Sequence, residues 1–390
     1  MKGRNGVDIS RPRGIEDMIG MPKKRRTRIL FIIQSMTGGG SEKVLVLLLR
    51  SLDRSRFEPI LLMTRGGGVF MGELPPDVAI CDLKASRSRY TVFQLVYLVW
   101  KLRPDAIFSM ALDLTILLAA LRPLLPRRMQ FIARQNINTT AFVDDEGFGQ
   151  FRRLVRIFYP KVDLIICQTD EMLDDIADNF GIDRRRLIRI YNPIDRKAIE
   201  AAASGPSPYA GPGPHLVCAG RLSHQKGFDV LLRAIAILRR RSIIIDLTLL
   251  GEGEEEQALR QLAQDLEITF SVHFLGFQSN PYIYFKHADA FVLSSRYEGL
   301  SNAMLEAASL ATPIVAVDVP GGVQEVLCGS NAAWIAPKHD AEDLADAIAH
   351  CLRELPRVKA SVVRHPMIED MECGMIARCY EEALCSCLPA

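Results

Sequence analysis

At 390 residues, 48% hydrophobic and 24% charged, the chain exceeds what one hydrophobic core usually supports, so two globular domains are expected. Its nine cysteines lack CxxC pairs and zinc spacing, and no signal-peptide pattern opens the chain, so the thiols are expected to be reduced and the protein cytoplasmic. The net charge of +2 conceals an asymmetry: residues 1–200 carry 33 Lys+Arg against 23 Asp+Glu, and residues 201–390 carry 15 against 23. The basic half suits an anionic surface, a lipid head group or a nucleic acid, or is simply a solvated Arg-rich face.

In chain order, residues 1–26 lack apolar periodicity and end in Lys23-Lys24-Arg25-Arg26, which predicts a flexible basic extension. From Arg28 onward, apolar runs of strand length (Ile29 to Ile33, Pro59 to Met63, Ala106 to Ser109, Gln130 to Ala133, Leu164 to Cys167) alternate with segments of helical period. That alternation predicts parallel βαβ units. The most apolar segments, Val92 to Trp100 and Ala106 to Leu125, are too short or are broken by Asp113 and Arg122, whereas a spanning helix needs about 20 apolar residues.

The stretch SGPSPYAGPGPH, Ser204 to His215, interrupts the pattern and predicts a domain boundary. The alternation restarts with a strand at Leu216 to Ala219, a helix at Gly227 to Arg240, and strands at Ile244 to Leu250, Val272 to Leu275, Ala290 to Leu293 and Pro313 to Ala316. The expected organisation is therefore an extension over 1–26, a first Rossmann-like domain over 27–205 and a second over 206–375. The closing segment 376–390 is either a helix that crosses back to the first domain or a frayed tail.

In open α/β sheets, ligands bind beyond the carboxyl ends of strands, which singles out four loops. After the first strand, Thr37-Gly38-Gly39-Gly40-Ser41-Glu42 opens a helix; its amides can approach a phosphate, or the glycines serve only a tight turn. Gly220 to Gly227 (GRLSHQKG) sets Arg221 and Lys226 five apart, able to converge on one polyanion. Leu250 to Glu256 (LGEGEEE) offers a GxG, but the three consecutive carboxylates after it would repel a pyrophosphate, so an acid-rich helix start is expected. Tyr297 to Glu306 (YEGLSNAMLE) places Glu298 on a Gly-containing loop and Glu306 two helical turns along, a pair suited to clamping two diols.

GGGSEKV, GRLSHQKG, VHFLGF, ADAFVLSSRYEGLSNAMLEA and TPIVAVDVPGGVQEVL, in this order and spacing, resemble the family-four retaining glycosyltransferases of the GT-B fold. The resemblance runs from about Arg28 to about Ala349. It implies two Rossmann-like doubly wound parallel-sheet domains facing a central cleft, the second holding a nucleotide diphosphate sugar, most commonly a UDP-sugar. By it, Arg221 and Lys226 neutralise the diphosphate and Glu298 holds the transferred sugar, making these three the catalytic set. Gly38, Gly39, Gly299, Leu300 and Ser301 add donor-binding contacts, Glu306 takes the ribose hydroxyls and the backbone around Phe277 takes the base. Neither metal nor other cofactor is expected, in keeping with the absence of any DxD triplet.

Many members carry a His after the strand corresponding to Gln130 to Ala133, where this chain has Arg134-Gln135-Asn136. Arg134 or Asn136 substitutes for it as a sugar or acceptor contact, or the segment is a plain polar turn. The implied partners are the donor, a glycan or polyprenyl-diphosphate-linked acceptor of cell-surface polysaccharide synthesis, and an anionic membrane at the inner face of the plasma membrane met by Val92 to Leu102 and Leu114 to Arg128, although core helices would give the same apolar pattern. No nucleic acid is implied. A catalytically silent sugar-nucleotide-binding scaffold of the same fold is the alternative. A dehydrogenase lacks its complete GxGxxG with a following acid, and a glycoside hydrolase lacks carboxylates on opposite sides of a scissile bond.

Overall fold

A computed structural model describes residues 25–84, 88–145, 147, 149–211 and 213–387. The basic extension expected over 1–26 therefore lies, apart from Arg25 and Arg26, outside the described residues. The described chain divides into two compact units. The first comprises the residues up to Gln168, Leu173–Pro193 and those from Gly374 onward; the second comprises Thr169–Met172 and Ile194–Cys373.

In the first unit, strands β1 (Thr27–Ile33), β2 (Phe57–Met63), β3 (Ala79–Asp82), β4 (Ala106–Ser109), β5 (Gln130–Arg134), β6 (Leu164–Cys167) and β7 (Leu187–Arg189) form one sheet in the order β3-β2-β1-β4-β5-β6-β7. Every pairing is parallel, with Ile29 beside Pro59 on one side and Ala106 on the other. Parallel strands covered by helices on both faces are apolar along their whole length rather than alternately. Accordingly Ile29 to Ile33, Ala106 to Phe108 and Ile165 to Cys167 are all buried. Strand order reverses between β1 and β4, the point at which open sheets of this kind leave a crevice.

The closing helix, Cys373–Cys387, belongs to this first unit from Gly374 onward. It buries Tyr380 and Leu384, while Glu381 accepts hydrogen bonds from the Asp53 amide (2.7 Å) and from Arg56 Nη1 (3.0 Å). None of the nine cysteines, all among the described residues, forms a disulfide, and burial pushes the Cys167 and Cys351 thiols up to about 12.

The second unit holds β8 (His215–Ala219), β9 (Asp246–Leu250), β10 (Val272–Phe274), β11 (Ala290–Leu293), β12 (Ile314–Val317) and β13 (Ala333–Ala336), in the order β10-β9-β8-β11-β12-β13. This sheet too is parallel throughout, and its order reverses between β8 and β11, paired through Leu216 with Ala290 and Val217 with Phe291. Two doubly wound parallel sheets thus match the expected fold class.

The passage between units falls at Pro193–Ile194 rather than at 205/206. Helix Arg196–Ala202 packs on the helices Tyr282–His287 and Asn302–Ser309 of the second unit. The Pro/Gly stretch then stays on that unit as well: the Tyr209 ring stacks on His215 with centroids 4.7 Å apart, and its hydroxyl donates to Tyr284 O at 2.9 Å. Composition marked the break in periodicity, but Tyr209 docks the stretch on the second unit.

Candidate functional site

The reversal between β8 and β11 sets the loops that follow these two neighbouring strands side by side. After β8 the chain runs through Gly220, exposed Arg221 and buried Leu222 into the short 3-10 turn His224–Lys226. Gly227, at φ +60°, then starts the helix Phe228–Arg240. A Cβ at Gly227 would come within 2.1 Å of Ser294 O, so only glycine permits this approach between the two loops.

The interlock is extensive. Ser294 Oγ donates to Lys226 O (2.9 Å), Gln225 Nε2 to Tyr297 O (3.1 Å) and the Arg296 amide to Gln225 O (2.8 Å). Arg296 also grips Asp229 with a two-pronged fork (2.9 and 2.8 Å). Burial raises the Asp229 carboxyl, the Arg296 guanidinium lowers it, and the net result lies below the usual carboxylate range.

At the centre Lys226 Nζ donates to Glu298 Oε1 at 2.6 Å, and Ser295 Oγ donates to the same oxygen at 2.6 Å. Glu298 is 6% exposed. The structure therefore joins two residues to which the resemblance gives separate tasks, a cation for phosphate and a carboxylate for sugar. Among the described residues no side chain pairs with Arg221, which stands exposed on the same loop.

Beyond Glu298, Gly299 and Leu300 are buried, and Ser301 caps the helix Asn302–Ser309, its Oγ accepting from the Met304 amide (3.5 Å). Glu306 lies on that helix and is 8% exposed. Behind this loop, the Glu298 amide donates to Pro320 O (3.0 Å), and Gly321, at φ +136°, sits so close that a Cβ would meet Glu298 O at 2.4 Å. The next residue, Gly322, donates its amide to Glu171 at 2.8 Å. Burial holds the Glu171 carboxyl above its ordinary range despite the two amides of Gly321 and Gly322, with Asp318 and Glu325 repelling it further.

The acid-rich turn after β9 has a structural task that its sequence concealed. Leu222 donates its amide to Glu252 O (2.9 Å), and the Glu255 amide donates to Leu222 O (3.0 Å). Cβ atoms at Gly251 and Gly253 would lie 1.9 Å from Gly220 O and 2.2 Å from Leu222 O. These glycines let one loop serve as a rack for the Arg221–Lys226 loop. Helix formation starts only at Glu256, because Glu254 and Glu255 complete this turn. Phe277, on the loop after β10, is 45% exposed, and its amide reaches Glu252 Oε1 at 3.4 Å. One end of the second sheet thus gathers Arg221, Lys226, Phe277, Glu298, Gly299, Leu300, Ser301 and Glu306 on the loops and the helix that follow β8, β10 and β11.

The remaining expected residues lie on the first unit, after β1 and β5. Gly38 (φ +117°) makes the turn, and extended Gly39 is the N-cap of helix Gly40–Ser51. The Glu42 carboxylate folds back so far that a Cβ at Gly39 would meet its Oε2 at 2.4 Å. That helix start is already complemented by an acidic side chain of its own first turn, which disfavours a phosphate there.

Arg134 ends strand β5 of that unit. It is 1% exposed, and its guanidinium donates to Tyr380 Oη (2.9 Å), Asn192 Oδ1 (2.5 Å) and Asn136 Oδ1. A group so enclosed holds its three acceptors in place. Asn136, half-buried, has its carboxamide fixed from both ends, since Nδ2 donates to Met110 O. Sequence reasoning missed Ser295, Gln225 and Gly321; the paired serines directly after an apolar strand, at the site-bearing end of the sheet, were the available signal for the first.

Two family models match the chain. The one described as Glycosyltransferase Family 4 covers residues 38–198, and the one described as Glycosyl transferases group 1 covers residues 213–354. Among curated proteins, the N-acetylgalactosamine-N,N'-diacetylbacillosaminyl-diphospho-undecaprenol 4-alpha-N-acetylgalactosaminyltransferase of Campylobacter jejuni is 32% identical over 173 residues, 44% of this chain and 46% of its own. The lipopolysaccharide core biosynthesis glycosyltransferase LpsE of Rhizobium meliloti is 30% identical over 200 residues, 49% and 54% of the two chains. The chain spans about half the length of the curated relatives it matches.

Solved structures are similar over far more of the chain. Anabaena HepE in complex with UDP-glucose superposes with a TM-score of 0.74 at 19% identity, covering 93% of this chain and 100% of that one. The sucrose-phosphate synthase of Thermosynechococcus elongatus gives 0.73 at 16% identity, with coverage of 93% and 100%. At these identities the likeness shows the fold.

Proposed function

The chain belongs to the GT-B glycosyltransferases of family four and group 1, and on that premise we propose that it transfers a sugar from a UDP-sugar, with retention of configuration, to a glycan or polyprenyl-diphosphate-linked acceptor in cell-surface polysaccharide synthesis. The observation that carries this reading is the part-buried Lys226–Glu298 pair beside exposed Arg221, at the strand-order reversal of the second sheet. Cleavage of the anomeric C–O bond puts negative charge on the departing diphosphate and positive character on the sugar ring. Arg221 and Lys226 meet the first, and fixed charges in a water-poor site stabilise a transition state far better than mobile ones.

Glu298 meets the second. Its Oε1 is held by Lys226 and Ser295, which leaves Oε2 for a hydroxyl of the transferred sugar. Arrival of the diphosphate draws Lys226 toward phosphate oxygen while Ser295 keeps the carboxylate in place. Gly299, Leu300 and Ser301 offer amides to phosphate, Glu306 takes the ribose diol, and the backbone at Phe277 faces the uracil. The relatives named above, one with UDP-glucose bound and one named for an undecaprenol-linked substrate, support this choice of donor and acceptor class. Two protein cations take the place of a metal, and the enzyme works at the inner face of the plasma membrane; among the described residues no helix is long and apolar enough to cross a membrane.

Incubation of the full chain with UDP-glucose or UDP-N-acetylglucosamine in EDTA tests the reaction. Slow release of UDP without acceptor, equal in rate with and without the chelator, is the expected result. UDP-sugar binding with no release would return the chain to a silent binding role, and release only after magnesium is added would remove the metal-independent part.

A further inference from the structure

The helix Ser88–Leu102 is apolar on more than the face it buries. Leu95, Leu98 and Val99 are at most 1% exposed in the core, yet Phe93, Tyr97 and Trp100 are 79%, 60% and 54% exposed. Their spacing of four and then three residues stacks them into one stripe along the outer face. The stripe continues onto the next loop, because Trp100 Nε1 donates to Leu124 O (2.9 Å) and Leu124 is itself 58% exposed. Three large aromatic rings and a leucine in one outward row form an apolar patch of the kind that marks an interaction surface.

Charge indicates what covers it. Residues 88–104 and 121–130 contain no Asp or Glu. Exposed Lys101, Arg103, Arg127 and Arg128 lie on these segments, with Lys101 Nζ 5.9 Å from the centre of the Tyr97 ring. Arg122 is not part of this set: it braces the loop by donating to Pro126 O and Met129 O and pairs with Asp163 at 3.3 Å. An exposed aromatic row on segments that carry exposed cations and no carboxylates of their own has the composition of a bilayer-surface helix, tyrosine and tryptophan seated at head-group level and lysine or arginine on lipid phosphate. A protein interface of this size would normally mix both signs of charge at its rim.

We propose that this face of the first unit docks on an anionic lipid bilayer, with Phe93, Tyr97, Trp100 and Leu124 entering the head-group layer and Lys101, Arg103, Arg127 and Arg128 contacting lipid phosphates. The proposal rests on the lipid-linked-acceptor reading for its purpose, since such an acceptor presents its diphosphate at that layer, but its test does not depend on transfer. The attraction falls with salt, as each surface cation loses its lipid phosphate to screening.

The full chain is mixed with phosphatidylcholine vesicles containing phosphatidylglycerol, floated through a density gradient, and followed by tryptophan emission. Wild type floats at low salt and its emission shifts to shorter wavelength as Trp100 enters the layer. Phe93→Gln/Tyr97→Gln partitions roughly tenfold more weakly, and so does Arg127→Gln/Arg128→Gln, each keeping the wild-type thermal response to UDP as evidence of an intact second unit. Wild type remaining at the bottom of the gradient overturns the proposal. So does flotation of the aromatic variant equal to wild type, which would assign binding to the basic segment Lys23 to Arg26. A wild-type dimer in light scattering that the aromatic variant abolishes would make the occupant a second copy and equally overturn it. Vesicle binding without any UDP response, or the reverse, separates this proposal from the transferase reading.

Discussion

Lys226→Ala is expected to lower UDP-sugar turnover by about 10²–10³-fold and to destabilise the second unit by about 2 kcal/mol. Both effects have one origin. Among the described residues the lysine is the one cation paired with the Glu298 carboxylate, which is 6% exposed, so its removal leaves a desolvated charge held by Ser295. In the proposed reaction the same ammonium is the less exposed of the two cations assigned to the diphosphate, Lys226 being half-buried and Arg221 exposed. The double variant Lys226→Met/Glu298→Gln separates structure from chemistry. With both charges gone, unfolding in denaturant should return to within about 1 kcal/mol of wild type, while UDP release stays lost. Release at the wild-type rate from the double variant would make the pair purely structural.

The second large effect lies in the first unit. Arg134→Met should cost about 3 kcal/mol of stability, because three neutral acceptors, Tyr380 Oη, Asn192 Oδ1 and Asn136 Oδ1, lose the guanidinium they share in a site 1% exposed. Lysine should fail to rescue it, since one ammonium cannot replace a planar fork of fixed geometry. Tyr380→Phe, which removes one acceptor, should cost about 1 kcal/mol. Denaturant midpoints of the three variants give the comparison. An Arg134→Met midpoint equal to that of wild type would show that the guanidinium does not hold the strand end to the closing helix, and would return Arg134 to the substrate contacts.

These two sites also show what the sequence disclosed and what it withheld. Strands β6 and β11 lie where their apolar runs stand, and the chain alternates as two doubly wound sheets do, because periodicity and strand length are local properties. Ile244 illustrates the limit: it continues an apolar run, yet it is 70% exposed in the turn that follows Ser242 (φ +63°), and β9 starts only at Asp246. At the site, Arg221, Lys226 and Glu298 were legible because each follows a predicted strand at the end where ligands bind. Their mutual arrangement was not. Lys226 and Glu298 are 72 residues apart in sequence, and only the pairing of β8 with β11 makes them neighbours. Likewise Gly251 and Gly253 resembled a failed dinucleotide motif, while their use, a close backbone approach to Gly220 and Leu222, depends on strand order. Arg134 resembled a polar loop residue because nothing local announces that Tyr380, 246 positions later, returns to accept its hydrogen bond.

The most direct test of the account is thermal unfolding of the full chain with UDP, ADP and GDP in metal-free buffer, for wild type and Glu306→Ala. A ligand that binds only the folded state stabilises it by about 2.7 kcal/mol at a hundredfold excess over its dissociation constant. The account predicts a clear rise in melting temperature with UDP, little with ADP or GDP, and a smaller rise in Glu306→Ala. A folded wild type whose melting temperature responds to none of the three would contradict the assignment of the donor site and, with it, the proposed transfer.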